Sequence, residues 1–443
     1  MAIELADRPF TPLAASLERL GAIVSPVTGI VTEVVRGTHA ADEARLSHVT
    51  CLMASCTRTV GSPIPEFAGG MHVFLDNARA AALGEAVERY SAAYAPIEAT
   101  TLTTAAELGA AAVPPERFAL FHARQLAWPR FPFVEFGADT RLRFVEGFAL
   151  ADGRPAFVPS QLVYLGGWFD DEERIGLPTS SGLACGPTLE EAILAGLLEL
   201  IERDAVMLVW KNALSLPLLD WTGDAELTAT DRDVFAPTGL RYSVVDGSGF
   251  FGVPVAIAVV HGPPGERTAL AMGAAAGATI SVAWTKALSE AFAVRRWLTL
   301  QTLIDEAPTE PDDVRTFDDH VLFYGNEHAA SRASFLDASG RRTPIQSIPR
   351  LEGETPRALI AALERRLAAR GCSAYAVDVT SPDVVALGLR VARVVAPELC
   401  PLDVAHAVRS LGGSRLQRAA FEAGVAPRTF DFDDFNPLPH PFP

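Results

Sequence analysis

Segment 188–210, TLEEAILAGLLELIERDAVMLVW, has the residue types and spacing that point most directly to chemistry. On a helix that turns about 100° per residue, Glu199 lies about 80° and Glu202 about 20° from Glu191, so three carboxylates share one narrow arc. Thr188 is predicted to be the N-cap, with Glu191 as its capping-box partner. The rest of the circumference is apolar, so the helix should be buried. Buried carboxylates cost several kcal/mol each unless they are paired or bind a metal. The pattern therefore favours an internal acidic site over a solvated face.

Two other predicted helices, 78–93 and 282–298, each carry a short acidic stripe beside a cation. The charged residues that share a side are Glu85, Glu88 and Arg89 on the first helix, and Lys286, Glu290 and Arg295 on the second. Either helix taken alone is also typical of a solvent-exposed surface. The three helices together predict acidic stripes that converge on one cavity.

A cavity lined by six glutamates would repel itself strongly unless divalent cations neutralised it. Oxygen-only ligation indicates Mg²⁺, which in proteins usually bridges a few carboxylates and the phosphates of a ligand. The predicted Mg²⁺ ligands are Glu85, Glu88, Glu191, Glu199, Glu202 and Glu290. Arg89, Arg203 and Lys286 are predicted to contact the phosphates. The chain has neither a P-loop nor a dinucleotide fingerprint, so the nucleotide site would be built from helices.

Composition excludes several classes of protein. The 443 residues include 37 Lys and Arg against 54 Asp and Glu, a net charge of −17, which argues against nucleic acid as the main ligand. A hydrophobic content of 49% excludes intrinsic disorder. Apolar stretches are shorter than the roughly 20 residues of a spanning helix, and the first residues do not resemble a signal peptide. With five cysteines, few and odd in number, we expect a cytoplasmic protein without membrane segments.

The order of apolar and turn-forming segments predicts a mixed α+β fold. We expect a helix over 13–20, strands within 23–35 and 140–165, and a hairpin within 240–260. The acidic segment 305–319 is predicted to be an exposed loop. Strands and helices alternate without a regular period, which favours one mixed domain over a doubly wound sheet.

The C-terminus, NPLPHPFP, has a proline at every second position. These residues are Pro437, Pro439, Pro441 and Pro443. Repeated proline keeps a chain stiff, so the tail could deliver its terminal carboxylate to a fixed place. The alternative is an extended Pro-rich tail that is disordered or binds an adaptor.

The segments ALGEAVERY, SSGLACGPTLEEAILAGLLELIERDA and KALSEA resemble the three nucleotide-binding motifs of the YcaO superfamily. The resemblance continues through DDHVLFYG, RVVAPELCPL, RSLGGSRL and FNPLPHPFP, and covers about residues 20–443. It implies a YcaO-type fold with β-sheets and helices around a central nucleotide cavity. The implied organisation is 1–60 as part of the main domain, 61–430 as the catalytic domain and 431–443 as a tail that enters the active site.

The resemblance is to the azoline-forming branch and implies an ATP-dependent peptide cyclodehydratase. A Cys, Ser or Thr of a ribosomal precursor peptide would attack the preceding backbone carbonyl, and ATP would phosphorylate the resulting oxyanion. ATP and Mg²⁺ are the implied cofactors, held by the acids named above and by Arg89 and Arg203 on the ER pairs of the motifs. The implied catalytic residues lie in the tail: Pro439, His440, Pro441 and Pro443, with the Pro443 carboxylate as general base. Among the histidines, His320 and His440 would lie nearest the site.

The same resemblance implies an E1-like partner that captures the leader peptide, within a homodimer or a hetero-complex. It leaves open whether a flavin-dependent dehydrogenase follows. Some residues depart from the family pattern, namely Ala81, Ser181, Pro187 and Lys286. These departures keep a catalytically silent scaffold subunit as an alternative. A related enzyme that makes thioamides or amidines is the other alternative, which the proline tail disfavours.

Overall fold

A computed structural model of the chain describes residues 3–55, 65–166 and 169–442. The α-helices within this part are α1 (Leu13–Gly21), α2 (Leu75–Ser91), α3 (Ala105–Leu108), α4 (Ala123–Leu126), α5 (Leu189–Lys211), α6 (Ala225–Thr230), α7 (Ile280–Gln301), α8 (Phe317–Phe323), α9 (Glu327–Arg332), α10 (Pro356–Ala368), α11 (Pro382–Ala386) and α12 (Ser414–Glu422). The strands are β1 (Val31–Gly37), β2 (Ser47–Met53), β3 (Phe67–His72), β4 (Thr100–Thr103), β5 (Leu142–Ala149), β6 (Pro155–Pro159), β7 (Leu183–Gly186), β8 (Leu218–Asp220), β9 (Arg241–Asp246), β10 (Val255–His261), β11 (Leu270–Ala276), β12 (Arg342–Pro344), β13 (Tyr375–Asp378) and β14 (Arg390–Val395). The predicted mixed α+β class is confirmed.

The strands form three sheets that are almost wholly antiparallel. The first has the order β1–β2–β3, and the second the order β11–β10–β9–β8–β12, in which β12 pairs with β8 in parallel. The third has the order β4–β5–β13–β14–β7, with β6 paired to β5. Helix α2 packs on β2 and β3 of the first sheet, and α7 packs on β10 and β11 of the second. Helix α5 contacts β7 and β14 of the third sheet and also β11 of the second, so it joins them.

Helix α5 is the central element of the core. Most of its residues are buried, and Trp210 and Lys211 at its C-terminal end are each 1% exposed. Its sequence is apolar around nearly the whole circumference, so burial on several sides is the arrangement that removes this surface from water. The helix therefore lies inside the molecule, as its composition predicts.

Glycines allow two of the site helices to approach their strands closely. At Gly70 on β3, a Cβ would overlap the carbonyl oxygen of Ala78 on α2. At Gly273 on β11, it would overlap the backbone nitrogen of Ala291 on α7. These close approaches bring the acidic residues of both helices within reach of strand backbone groups.

The structure differs from the sequence-based expectations in two segments. The predicted strand character of 140–165 ends at Pro159, because the buried amide of Gln161 bonds the backbone of Glu173 and Ile175 and holds a 3-10 turn away from the sheet. The acidic segment is mainly exposed, but Val314 is buried and α8 begins at Phe317. No helix in the described ranges is long and apolar enough to cross a membrane.

Candidate active site

Helices α2, α5 and α7 meet at a cavity of about 1270 Å³ that is also bordered by β2, β3, β7 and β11. Eight of the nine residues predicted to bind the nucleotide line it: Glu85, Glu88, Glu191, Glu199, Glu202, Arg203, Lys286 and Glu290. Arg89 lies beside the wall, where its guanidinium is 3.2 Å from a Glu85 carboxylate oxygen. The three acidic stripes thus converge, although they come from separate parts of the sequence.

Strand backbone N–H groups hold most of these carboxylates in place. Glu85 accepts from Gly69 N–H at 2.8 Å, Glu88 from Cys185 at 3.0 Å, Glu199 from Gly182 at 3.3 Å, Glu202 from Ala276 at 3.2 Å and Glu290 from Ala274 at 2.7 Å. Backbone donors are rigid, so the positions of these acids depend on the register of the sheets. The second oxygens of Glu85, Glu199 and Glu202 pair with Arg89 or Arg203. Those of Glu88 and Glu290 form no salt bridge in the described part of the chain.

Glu191 is held differently from the other acids. Thr188 caps α5 by accepting the Glu191 N–H at 3.2 Å, as predicted. The reciprocal half of the predicted capping box is wrong, because the Glu191 carboxylate accepts the Thr11 hydroxyl at 2.7 Å instead of the N-cap N–H. Glu191 thereby joins the N-terminal segment to the site helix.

Arg203 is the central cation of the cavity. Its guanidinium is 3.2 Å from Glu199 and also pairs with Glu202. Burial opposes its charge, but the surrounding carboxylates outweigh burial and raise the pKa of Arg203. Lys286 lines the same cavity and acts on Glu202 and Glu290 through its charge, without a salt bridge in the described part of the chain. Arg295 of α7 is turned away, with Glu266 at 2.7 Å.

The glutamates of the cavity outnumber the cationic side chains that pair with them. Burial, with Glu199 nearby, raises the pKa of Glu88 and of Glu202 to about 8, and burial also raises that of Glu290. Among the described residues, no three His, Cys, Asp or Glu side chains are already close enough together to hold a metal ion. The donor set still fits a divalent cation such as Mg²⁺, because clustered carboxylate oxygens with little countercharge are its preferred protein ligands.

The C-terminal tail is packed into the core beside this cavity. Trp210 Nε1 donates to the Leu438 carbonyl at 3.1 Å, and the Tyr324 hydroxyl donates to the Pro439 carbonyl at 2.6 Å. The Phe442 ring is fully buried and lies 5.0 Å from the Arg203 guanidinium carbon. The described part of the tail therefore reaches Arg203, which pairs with two of the acids. Pro443 lies outside the described residues.

His320 and His440, both predicted to lie near the site, contact each other, and neither lines the large cavity. Their rings stack with centroids 3.8 Å apart, and the His320 ring is 3.1 Å from the His440 carbonyl oxygen. His440 Nε2 lies 2.9 Å from the carbonyl oxygen of Asp403. Burial lowers the pKa of both rings, so they are neutral near pH 7. Pro439 and Pro441 are buried beside them.

Several residues of this region were missed by the sequence analysis. Asn77, Arg296 and Asp318 line the cavity. Asp318 is the first residue of the DDHVLFYG motif, which was a usable signal. The buried pair of Lys211 and Asp403, 3.0 Å apart, had no such signal, because its members are distant in sequence and neither lies in an acidic stripe.

One known protein family matches most of the chain. The family described as YcaO cyclodehydratase, ATP- and Mg²⁺-binding, matches residues 70–400, about three quarters of the chain. No curated protein matches the sequence significantly.

Three solved structures illustrate the fold that this chain shares. A heterocyclase in complex with substrate and cofactor is 24% identical with a TM-score of 0.81; the alignment covers 100% of this chain and 59% of that one. YcaO from Methanopyrus kandleri bound with AMPPCP and Mg²⁺ is 20% identical with a TM-score of 0.62, covering 88% and 91%. The E. coli microcin synthetase McbBCD complex with pro-MccB17 bound is 12% identical with a TM-score of 0.55, covering 83% and 88%.

This chain thus covers 59% of the heterocyclase chain, which is less than two thirds of its length. At these identities the similarity establishes the fold, while the family model covers all three acidic helices. The chain therefore belongs to the YcaO cyclodehydratase family.

Proposed function

We propose that this chain is an ATP-dependent cyclodehydratase that converts Cys, Ser or Thr residues of a ribosomal precursor peptide into azolines. One observation carries the proposal: six glutamates and Arg203 line a single cavity beside which the proline-rich tail ends. The family model supports ATP and Mg²⁺ as the ligands. The tail supports the azoline-forming branch over the thioamide and amidine alternatives.

In this proposal the acids of α2, α5 and α7 hold Mg²⁺, and the cations of the cavity hold the phosphates. The metal ligands are Glu85, Glu88, Glu191, Glu199, Glu202 and Glu290. Arg203 and Lys286 face the phosphates directly, while Arg89 orients Glu85 through their salt bridge. Bound Mg²⁺ supplies charge neutralisation for the polyphosphate and for the group in transfer.

The reaction removes the oxygen of a backbone amide. The thiol or hydroxyl of the substrate side chain bonds to the preceding carbonyl carbon and loses its proton, and the carbonyl oxygen becomes an oxyanion. That oxygen accepts the γ-phosphoryl group of ATP, and ADP leaves. Loss of the phosphate and of the amide proton then leaves the C=N bond of the ring. Phosphate is a far better leaving group than hydroxide, which is why the reaction consumes ATP.

The tail is proposed to act at the proton-transfer steps. Pro439, His440 and Pro441 are buried, and the Phe442 ring that follows them lies beside Arg203. We assign the Pro443 carboxylate as the general base that takes the substrate proton. The neutral His440 ring positions the tail through Asp403 and His320.

The substrate and partners are proposed on the family to which the chain belongs. We propose that an E1-like protein binds the leader peptide, in a complex that a flavin-dependent dehydrogenase would extend. The free Cys51, Cys185, Cys372 and Cys400 support a reducing, cytoplasmic location.

Ring formation tests the proposal directly. The purified chain, mixed with its leader-binding partner, a precursor peptide and Mg·ATP, should remove one water per ring and release one phosphate, as measured by mass spectrometry and a phosphate assay. Glu202→Gln should abolish both, whereas Glu190→Gln on the same helix should not, because Glu190 bonds the Ala6 N–H away from the cavity. Absence of rings and of phosphate release in the unmodified complex would instead favour the silent scaffold.

A further inference from the structure

A second, smaller cavity borders Arg203. Its volume is about 120 Å³, and Arg203 lines both this cavity and the larger acidic one. Its wall is mostly apolar, formed by side chains that include Phe118, Leu177 and Val408. The polar part of the wall contains Arg393 on β14. The small cavity is thus separate from the acidic one but meets it at a guanidinium.

Arg393 is buried without a matching anion. It is 5% exposed, and its Nη1 donates to the Thr179 carbonyl at 2.6 Å. Its Nε has no partner, and no carboxylate in the described ranges forms a salt bridge with it. Burial lowers the pKa of Arg393 to about 10, while the charge of Glu199 partly compensates.

Arg203, which lines the same small cavity, also has a buried donor without a hydrogen-bond partner. Its Nε is buried without a hydrogen-bond acceptor, although its other nitrogens pair with glutamates. Unsatisfied buried donors are rare and costly, by about 1–3 kcal/mol each and more for a charged group, so two at one cavity indicate an acceptor from outside the chain.

We propose that the small cavity is the binding site for the reacting amide of the peptide, with Arg393 and Arg203 donating to its carbonyl oxygen. This inference rests on the proposed function. Phosphoryl transfer needs a nucleotide and an amide oxygen that meet at one point. With the nucleotide in the acidic cavity, the amide must arrive from another side of Arg203, and the small cavity is adjacent there.

The two arginines would act most strongly once the carbonyl is attacked. As the sulfur or oxygen of the substrate bonds to the carbonyl carbon, the π electron pair moves to the carbonyl oxygen. N–H donors fixed in a buried site stabilise such an oxyanion without reorganising. The same oxygen then bonds to the γ-phosphorus, and the bond to ADP breaks.

The size of the cavity limits the size of the substrate residue that precedes the ring-forming residue. A cavity of about 150 Å³ in another protein accepts benzene, so 120 Å³ suits a small side chain and excludes an indole. The substrate class is therefore a Cys, Ser or Thr preceded by a small residue such as Gly or Ala.

Binding of a small probe tests this site without ring formation. The probe is N-acetyl-Ala-Cys-amide, measured by saturation-transfer NMR in the presence of Mg·AMPPCP. Arg393→Gln should weaken its binding at least about tenfold, the loss expected for a charge-assisted hydrogen bond. Arg390→Gln is the matched control on the same strand, because Arg390 bonds only the neighbouring Leu389 carbonyl at 3.4 Å and does not line the cavity.

A second variant tests the same cavity in case Arg393→Gln fails to fold. Val408→Phe fills the cavity from a half-buried position and should block the probe while leaving Mg·AMPPCP affinity within about threefold. N-acetyl-Trp-Cys-amide should not bind the unmodified protein. The inference is overturned if the unmodified protein does not bind the Ala-Cys probe, if Arg393→Gln binds it normally, or if Arg393→Gln loses Mg·AMPPCP.

The outcomes separate this inference from the proposed function. The probe could bind in a way that depends on Arg393 while the unmodified complex forms no rings. This outcome would support the peptide site and refute the proposed cyclodehydratase activity. Ring formation at an unchanged rate by Arg393→Gln would overturn the peptide site and leave the activity in place.

Discussion

At the scale of single residues, Glu88 shows how the site acids are held. Its carboxylate is buried, accepts the Cys185 N–H and lies near other acids. An amide oxygen can accept the same hydrogen bond, so Glu88→Gln removes the charge but keeps the volume and the contact. We expect the thermal unfolding midpoint to stay or rise, while the affinity for Mg·AMPPCP falls at least about tenfold. Glu18→Gln on the exposed face of α1 is the control for both measurements. An unchanged affinity in the Glu88 variant would remove this residue from the metal ligands.

The pair of Lys211 and Asp403 is the second residue-scale feature that can be tested. Both side chains are nearly inaccessible, and Lys211 also donates to the Ser410 carbonyl at 2.7 Å. Lys211→Met would leave the Asp403 charge without its partner, at a cost of about 3–5 kcal/mol.

Urea unfolding of Lys211→Met measures this cost. The double variant Lys211→Met/Asp403→Leu should recover part of the loss, because both charges are then absent. Arg232→Ala breaks a fully exposed pair with Asp233 and should leave the midpoint unchanged. A single variant as stable as the unmodified protein would show that the pair does not stabilise the fold.

At the scale of elements, the tail behaves as part of the core. Its carbonyl groups at Leu438 and Pro439 are satisfied by Trp210 and Tyr324. Tyr324→Phe removes one donor and leaves a buried carbonyl unsatisfied, at a cost of about 1–3 kcal/mol. We expect faster hydrogen exchange in the C-terminal peptide and slower ring formation. Tyr94→Phe, a partly exposed tyrosine on another part of the surface, is the control. Unchanged exchange in Tyr324→Phe would mean that this hydrogen bond does not hold the tail.

Protonation of His406 should make the stability of the protein depend on pH. Burial, with the Arg409 charge, lowers the pKa of His406 to about 4, against about 6.5 in an unfolded chain. The unfolded state therefore binds a proton that the folded state does not, and stability falls as the pH drops from about 6.5 towards 4. At pH 5 this amounts to about 2 kcal/mol.

The unfolding midpoints of the unmodified protein and of His406→Gln, followed from pH 8 to pH 4.5, isolate this contribution. The unmodified protein should lose more stability than the variant as the pH falls. Parallel curves for the two proteins would contradict the assigned role of His406.

The elements differ in how far the sequence could predict them. The three acidic helices were predictable, because the 3.6-residue period places Glu85 and Glu88, Glu199 and Glu202 on shared faces. The family resemblance predicted that the tail enters the site. Its contacts with the core and the pairing of Lys211 with Asp403 were not predictable, since they arise when distant segments pack together. Arg393 lies in a strand of apolar pattern, and nothing local shows that it is buried without an anion.

At the scale of the whole molecule, the site exists because three separate sheets bring three helices together. Each helix contributes acids that have little function alone, and α5 joins two of the sheets. In the proposed site six of the acids bind cations, so the net charge of −17 would overstate the acidity of the protein with its ligands bound. The central claim is therefore that α2, α5 and α7 form one cation-dependent nucleotide site.

Calorimetric titration with AMPPCP tests that claim most directly. The unmodified protein should bind in the presence of Mg²⁺ and not in EDTA. Glu85→Gln, Glu202→Gln and Glu290→Gln, one from each helix, should each weaken binding at least about tenfold, while Glu190→Gln should bind normally. Binding that is independent of Mg²⁺, or that survives the loss of an acid from any one of the three helices, would contradict the account.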